Sequence, residues 1–321
     1  MNIKTLIFII LTLSGMNAYC NSSPFKTKQI NFPDAEYITE NTIRIPFDLV
    51  DHLIVIKASV NSKKGNFIID TGAETLVLNK VHFNDFYDHR TRSTSGVNST
   101  VDKTILAKID KLILNTFNIK NIDSDVTDLS HIEKKKKEEI LGIIGFKVLK
   151  NYEIFIDFYL KQITLFKTTS SGNRMDKKIF LEEIADSVSF KLKKHTIVLN
   201  CFINNEKVNF GLDTGAEINQ LSSQVSKKVK KNFRIIRRVK MLGAGKREKE
   251  VLAGKLYNVK LNDKIFCGVM RTILTNLAGM ESAYGTKLDG ILGYEFIAMK
   301  RVIINYKKEK LYFVNHPYVK N

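Results

Sequence analysis

The chain has 321 residues, 44% of them hydrophobic, 26% charged and only 4 proline, so it is long enough for two domains with cores of their own, and wholesale disorder is excluded. The net charge of +18 raises the question of an acidic partner, but lysine is spread along the whole sequence and no nucleic-acid-binding module is recognisable. Three cysteines are too few for a disulfide framework.

In chain order, residues 1–20 are predicted to be a signal peptide. A basic start, "MNIK", leads into an apolar stretch, Leu6–Leu13, and a small-residue exit, "SGMNAYC". The stretch is too short to span a bilayer, and no later segment approaches the needed length, so no transmembrane segment is expected in the mature chain. Cys20 offers a lipid-anchor site, although the bulky Tyr19 before it favours ordinary cleavage near Ala18–Cys20. Loss of Lys4 with this segment leaves a net charge of +17, one less than +18. The expected location is therefore exported: periplasmic, cell-envelope or secreted. Residues 21–45 fit a propeptide, a first strand or a tail equally.

From residue 46 the chain repeats itself. His52–Leu78 aligns with His195–Leu221 without a gap at an offset of 143, and 13 of the 27 positions are identical. Ile140–Phe166 aligns with Leu288–Val314 at an offset of 148. Two copies are too few for a solenoid, and a pseudo-symmetric pair is the better description. The copies are bounded at 46–167 and 190–318, with 168–189 as the linker, polar and glycine-containing at Thr168–Lys178.

Each copy reads as β. "LIVIKASV" and "IVLNCFI" are apolar and β-branched, and each precedes a polar turn and a second strand. "NYEIFIDF", "QITLF", "RVIINY" and "KLYFV" carry strand patterns as well. Helical stretches are short: "SHIEKKKKEEI" and "SSQVSKKVKKN". In the first of these, Lys134–Lys137 beside Glu138 and Glu139 reads as a solvated helix face. Cys201 and Cys267 could pair or remain buried thiols.

The second strand of each copy runs into Asp-Thr-Gly-Ala-Glu, at Asp70 and at Asp213. A carboxylate at the end of an apolar strand is costly to bury alone, because desolvation disfavours its charge. Two of them on symmetry-related loops can meet at the pseudo-two-fold axis and share one proton. One then serves as general base toward a water while the other, protonated, polarises a carbonyl. Gly72 and Gly215 let each loop turn tightly and approach its mate. Thr71 and Thr214 can hydrogen-bond across the axis. Ile143-Ile144-Gly145 and Ile291-Leu292-Gly293 give strands able to pass close beneath each loop.

On these residues the chain resembles the aspartic protease superfamily, and within it the bacterial retropepsin-like aspartyl proteases. "DTGA" is the retropepsin form of the active-site triplet, and "DGILGYEF" (Asp289–Phe296) is similar to the glycine strand of the pepsin and bacterial branches. Glu74 and Glu217 stand where retroviral enzymes usually carry Asp. Phe146-Lys147 and Tyr294-Glu295 replace the viral Gly-Arg pair. Both departures favour the bacterial branch. The resemblance implies an all-β fold of two acid-protease-type barrel lobes with a few short helices, acting as a monomer with an internal pseudo-dimer. It implies hydrolysis of a peptide or protein substrate by activated water, with no cofactor or metal. Asp70 and Asp213 become the catalytic dyad, supported by Thr71, Gly72, Thr214 and Gly215. Gly96, Gly243 and Gly245 become tips of substrate-covering flaps.

A different reading keeps the fold and drops the chemistry: an inert envelope module that grips peptides. His52 and His195, at equivalent strand starts, read as packing residues. No metal-ligand spacing and no Ser or Cys nucleophile motif occurs.

Overall fold

Strands begin where apolar, β-branched runs begin, and they end at turns that asparagine can form. The computed structural model describes residues 36–37, 39–84, 91–95, 100–176, 183–242, 248–278 and 281–315. The signal-peptide stretch, Cys20 and the glycines Gly96, Gly243 and Gly245 lie outside them. The described residues belong to one compact unit, Pro33–Asn321.

The first copy opens with β1 (Glu36–Tyr37), β2 (Thr42–Pro46), β3 (Asp48–Val50), β4 (Leu53–Val60) and β5 (Lys63–Ile69). It continues through β6 (Leu76–Asn79), β7 (Thr91–Ser95), β8 (Thr100–Leu114), β9 (Phe117–Thr127) and helix α1 (Ser130–Lys136). It closes with β10 (Gly142–Ile144), α2 (Phe146–Leu149), β11 (Tyr152–Asp157) and β12 (Gln162–Lys167). The second copy runs β13 (Ile184–Ser189), β14 (Lys191–Lys193), β15 (Thr196–Ile203), β16 (Glu206–Leu212), β17 (Asn219–Ser222) and α3 (Lys227–Lys230). Then come β18 (Phe233–Leu242), β19 (Glu248–Leu256), β20 (Val259–Lys260), β21 (Met270–Thr275) and α4 (Glu281–Tyr284). Last are β22 (Gly290–Leu292), α5 (Tyr294–Ile297), β23 (Arg301–Asn305) and β24 (Lys310–Val314). The protein is all-β with short helices.

The turn of each β-hairpin leading to an aspartate has positive φ at both central residues, Asn61 and Ser62 in one copy and Asn204 and Asn205 in the other. Asparagine tolerates that conformation better than most side chains, which fixes the hairpin register. In the first lobe the path β4-β5-β10-β6-β9-β8 closes on itself because β8 also pairs with β4, Ser59 opposite Ile113 and Val60 opposite Leu112. This makes a six-stranded barrel without a free edge. The second lobe follows the same order through β15, β16, β22, β17, β21 and β19. There the closing strand is interrupted, and the separate β20 pairs with β15, Ile203 opposite Val259.

The lobes share a third sheet, ordered β1-β2-β12-β11-β23-β24-β13. Its middle is an antiparallel pairing of β11 with β23, Ile154 opposite Ile304 and Phe155 opposite Ile303. β2 flanks β12 as β13 flanks β24, with Pro46 opposite Gln162 and Ser189 opposite Lys310. Residues 184–189, expected within the linker, therefore form the first strand of the second copy. Likewise Thr42–Ile45, expected in the N-terminal segment, begin the first copy's matching strand. Both were obscured because their pairing partners lie at the far end of their own copy.

Polar pairs cross the β11–β23 seam. Asp157, fully buried, accepts from Nε and Nη2 of Arg301 at 3.1 and 2.6 Å, and Arg301 also donates to the carbonyl of Asn315. Asn305 Nδ2 donates to Glu153 at 2.6 Å, and Arg174 donates to the same carboxylate. Arg301→Met should destabilise the protein by about 3–5 kcal/mol in urea unfolding, because it strands a buried carboxylate. Adding Asp157→Asn, which keeps the turn acceptor that Asn305 already provides in the other copy, should recover most of that loss.

Candidate active site

The inner ends of β5 and β16 are wholly buried and deliver Asp70 and Asp213 to the pseudo-two-fold axis. Beneath each loop runs a parallel glycine strand, Ile144 opposite Ile69 and Leu292 opposite Leu212. The strands hold the loops from below: Asp70 N donates to Ile144 O at 3.1 Å and Asp213 N to Leu292 O at 2.9 Å.

The two loops are braced by four crossed hydrogen bonds. Thr71 N donates to Thr214 Oγ1 at 3.0 Å, and Thr214 N donates to Thr71 Oγ1 at 3.1 Å. Each hydroxyl then donates onward across the axis, Thr71 to Leu212 O and Thr214 to Ile69 O. Both threonines are buried. Each therefore satisfies two backbone groups that no ladder could reach.

The carboxyls meet over this brace. Gly72 N donates to Asp70 Oδ1 at 2.7 Å, and Gly215 N donates to Asp213 Oδ1 at 2.8 Å. A Cβ on Gly72 would lie 2.6 Å from the carboxyl carbon of Asp213, and one on Gly215 would lie 2.5 Å from that of Asp70. Each carboxyl thus sits on the other loop's glycine, where no larger residue fits. Burial, then the charge of Asp70, holds the Asp213 carboxyl well above the ordinary carboxylate range; the Gly215 amide and the Tyr284 phenol pull it back in part. Two acids so placed can keep one proton between them, and with it the means to take a proton from one atom and give one to another.

Residues that sequence reasoning passed over also face this centre. Tyr284, buried at the end of α4, has Oη 3.5 Å from Asp213 Oδ2. Tyr306, just past β23, is buried close enough to both aspartates that their charges, after burial itself, raise its phenol pKa. His195 is buried with Nδ1 4.0 Å from Glu74 Oε2, and its pKa is lowered by burial against the opposing pull of Glu74 and the Gly72 backbone. Its mate His52 stacks on Tyr294 with ring centroids 4.3 Å apart, a packing role. The only sequence signal for any of these was the equivalence of the two histidines.

Lys136 corrects the expectation of a solvated helix face. Lys134, Lys135 and Lys137 are exposed, but Lys136 is buried, its Nζ 2.7 Å from Glu217 and 3.4 Å from Asp51. Glu217 belongs to the loop that begins at Asp213, so α1 of the first lobe clasps the active loop of the second. Glu74, at the matching place, pairs with Lys147 at 3.2 Å. A cavity of about 370 Å³ opens beside Asp213, between α1 and the β18–β19 hairpin. Ile132, Ile218, Val239 and Met241 line it with Lys135 and Arg237.

The expected flap glycines fall outside the described residues. The strands flanking them pair as hairpins, Ser95 opposite Thr100 and Leu242 opposite Glu248. Cys201 and Cys267 are both free buried thiols, with pKa values raised by burial, that of Cys267 to about 12. Among the described residues no group of three His, Cys, Asp or Glu side chains could hold a metal ion, and no helix is long and apolar enough to cross a membrane. The sequence matches no family model and no curated protein.

Thr71→Val or Thr214→Val removes an acceptor and a donor from a buried crossing, and each should cost about 1–3 kcal/mol in denaturant unfolding. The double variant should cost less than the sum, because both belong to one network. The raised Asp213 pKa has its own signature. Its contribution to stability is fully present below the ordinary carboxylate range and is lost as pH rises through the folded-state value. Asp213→Asn should therefore gain melting temperature over wild type increasingly from acid to neutral pH.

Proposed function

We propose that the protein is an aspartic endopeptidase of the retropepsin-like kind, exported from the cell and acting as a single chain whose two lobes stand in for two subunits. The observation that carries this reading is the confrontation of Asp70 and Asp213, each seated on the other loop's glycine and fixed by crossed threonines. A structural turn aspartate gains nothing from such a partner, whereas a proton-sharing pair requires one.

Asp213 is the more buried carboxyl and the one whose burial favours its proton, so we assign it as the acid and Asp70 as the base. Asp70 takes a proton from a water, whose oxygen adds to the peptide carbonyl carbon. Asp213 gives its proton to the carbonyl oxygen, forming a neutral gem-diol. The proton on Asp70 then passes to the amide nitrogen, the C–N bond breaks, and a diol hydroxyl returns its proton to Asp213. The products are a carboxylic acid and an amine, and the pair again holds one proton. The cavity beside Asp213, apolar with basic residues at its margin, suits an apolar side chain of an extended peptide. Export rests on the basic start, the apolar Leu6–Leu13 stretch and the small-residue exit.

Product formation from a mixed peptide library tests the reading. Asp70→Asn and Asp213→Asn should each lower the rate by about 10²–10⁴-fold, the contribution of a positioned acid or base. The wild-type rate should be bell-shaped in pH, its acidic limb from loss of the base and its alkaline limb from loss of the Asp213 proton. Identical cleavage profiles for wild type and the double variant would sink the peptidase reading in favour of an inert peptide-binding module.

A further inference from the structure

The offset of 148 applies from the strands that pair with β6 and β17 onward, since Leu76 lies opposite Ser124 and Asn219 opposite Thr272. It makes Tyr284, the last residue of α4, the counterpart of Lys136, the last residue of α1. Both are buried, at 6% and 7% exposure, although one is a phenol and the other an ammonium. Both also reach the same five-residue loop: Tyr284 approaches Asp213 Oδ2, and Lys136 approaches Glu217. Among the described residues the loop of the first copy has no counterpart of these two contacts, and its Glu74 pairs with Lys147 instead. Asp70 Oδ1 accepts from the amides of Gly72 and Ala73, and among the described residues no hydroxyl or phenol hydrogen-bonds to Asp70, although Tyr306 lies near both carboxyls.

The geometry points to Tyr284 as a positioning residue of the dyad, donating to the outer oxygen of Asp213 and so breaking the symmetry that duplication left between the two carboxyls. The inference rests on the peptidase reading for its catalytic meaning. Asp213 must release its proton to the substrate oxygen, and a donor on its outer oxygen stabilises the carboxylate that results. Without it, the most buried acid of the site would hold its proton too tightly to cycle. Burial and the two aspartates raise the Tyr284 phenol well above its ordinary value, so it remains a donor across the working range. The other groups facing Asp213 are Asp70 on the opposite loop, Tyr306 past β23 and Glu217 on its own loop. Across the cavity stand His131, Lys135 and Lys136 of α1 and Arg237 and Lys240 of β18. None of these cations occupies the place of Tyr284, so removal of the phenol alone isolates its effect.

Tyr284→Phe in the full chain keeps the ring and deletes the donor. Titration of ¹³C-labelled aspartate carboxyls by NMR identifies Asp213 as the resonance missing from Asp213→Asn, whether or not a substrate is known. That resonance should titrate at higher pH in Tyr284→Phe than in wild type. An unmoved Asp213 titration in a folded variant overturns the inference. With a cleavable peptide, the alkaline limb of the rate profile should move to higher pH. The rate at the plateau should fall about tenfold at nearly unchanged KM, the loss expected for one hydrogen bond to a charged group. A rate loss without movement of that limb would mean a merely structural role and would also overturn the inference. Absence of turnover in wild type would count against the peptidase reading alone, since the carboxyl titration stands independently.

Discussion

Two carboxyl groups confronted across an axis are the least comfortable feature of this molecule, and most of its architecture exists to keep them there. Like charges at such separation cannot both ionise cheaply, and burial penalises even one. Left to relax, the loops would swing apart and let water in. The glycines remove every atom that could hold the carboxyls apart, while the threonines remove the freedom to retreat. The parallel glycine strands hold each loop from beneath, with backbone hydrogen bonds that no side-chain substitution can delete. Strain, placement and support thus come from different residues, and the dyad is a property of all of them together.

The copies have not remained equal. One aspartate loop is clasped by a buried lysine and touched by a phenol; the other pairs with a half-buried lysine and lies near a buried histidine. Asp213 is consequently the drier and more tightly held acid. The two loops are identical in sequence, so any difference between their carboxyls comes from the surroundings. It came through positions that the duplication made equivalent, Lys136 and Tyr284 in particular, while the Asp-Thr-Gly-Ala-Glu stretch itself is identical in the two copies.

What could be read in advance follows the range of the forces involved. The hairpin strands, the asparagine turns and the duplicated Asp-Thr-Gly are local patterns, and they appear in the structure where the sequence put them. β13 was hidden, and β2 stayed one of three readings of residues 21–45, because a strand at the margin of a shared sheet owes its existence to partners more than a hundred residues away. Lys136 sits in a run of lysines with nothing to mark it as the buried one; only the arrival of Glu217 does that. Tyr284 and Tyr306 look like ordinary core aromatics, since proximity to a carboxyl on another loop leaves no trace in periodicity. The four-residue helices α2 and α5 are too short to show a helical repeat.

The seam between β11 and β23 makes each half the fitting partner of the other and not of itself. Glu153 and Asp157 of one copy occupy the places of Arg301 and Asn305 in the other, and across the seam acid meets base or amide. Were the first half to pair with a second first half, the same register would set Glu153 against Asp157 in the centre of a buried sheet, twice over, with Arg174 beside Glu153 and no cation beside Asp157. The second half paired with itself would bury two arginines without a carboxylate. The halves are opposites, each carrying the group that the other's buried seam needs, so neither can replace its partner by a second copy of itself.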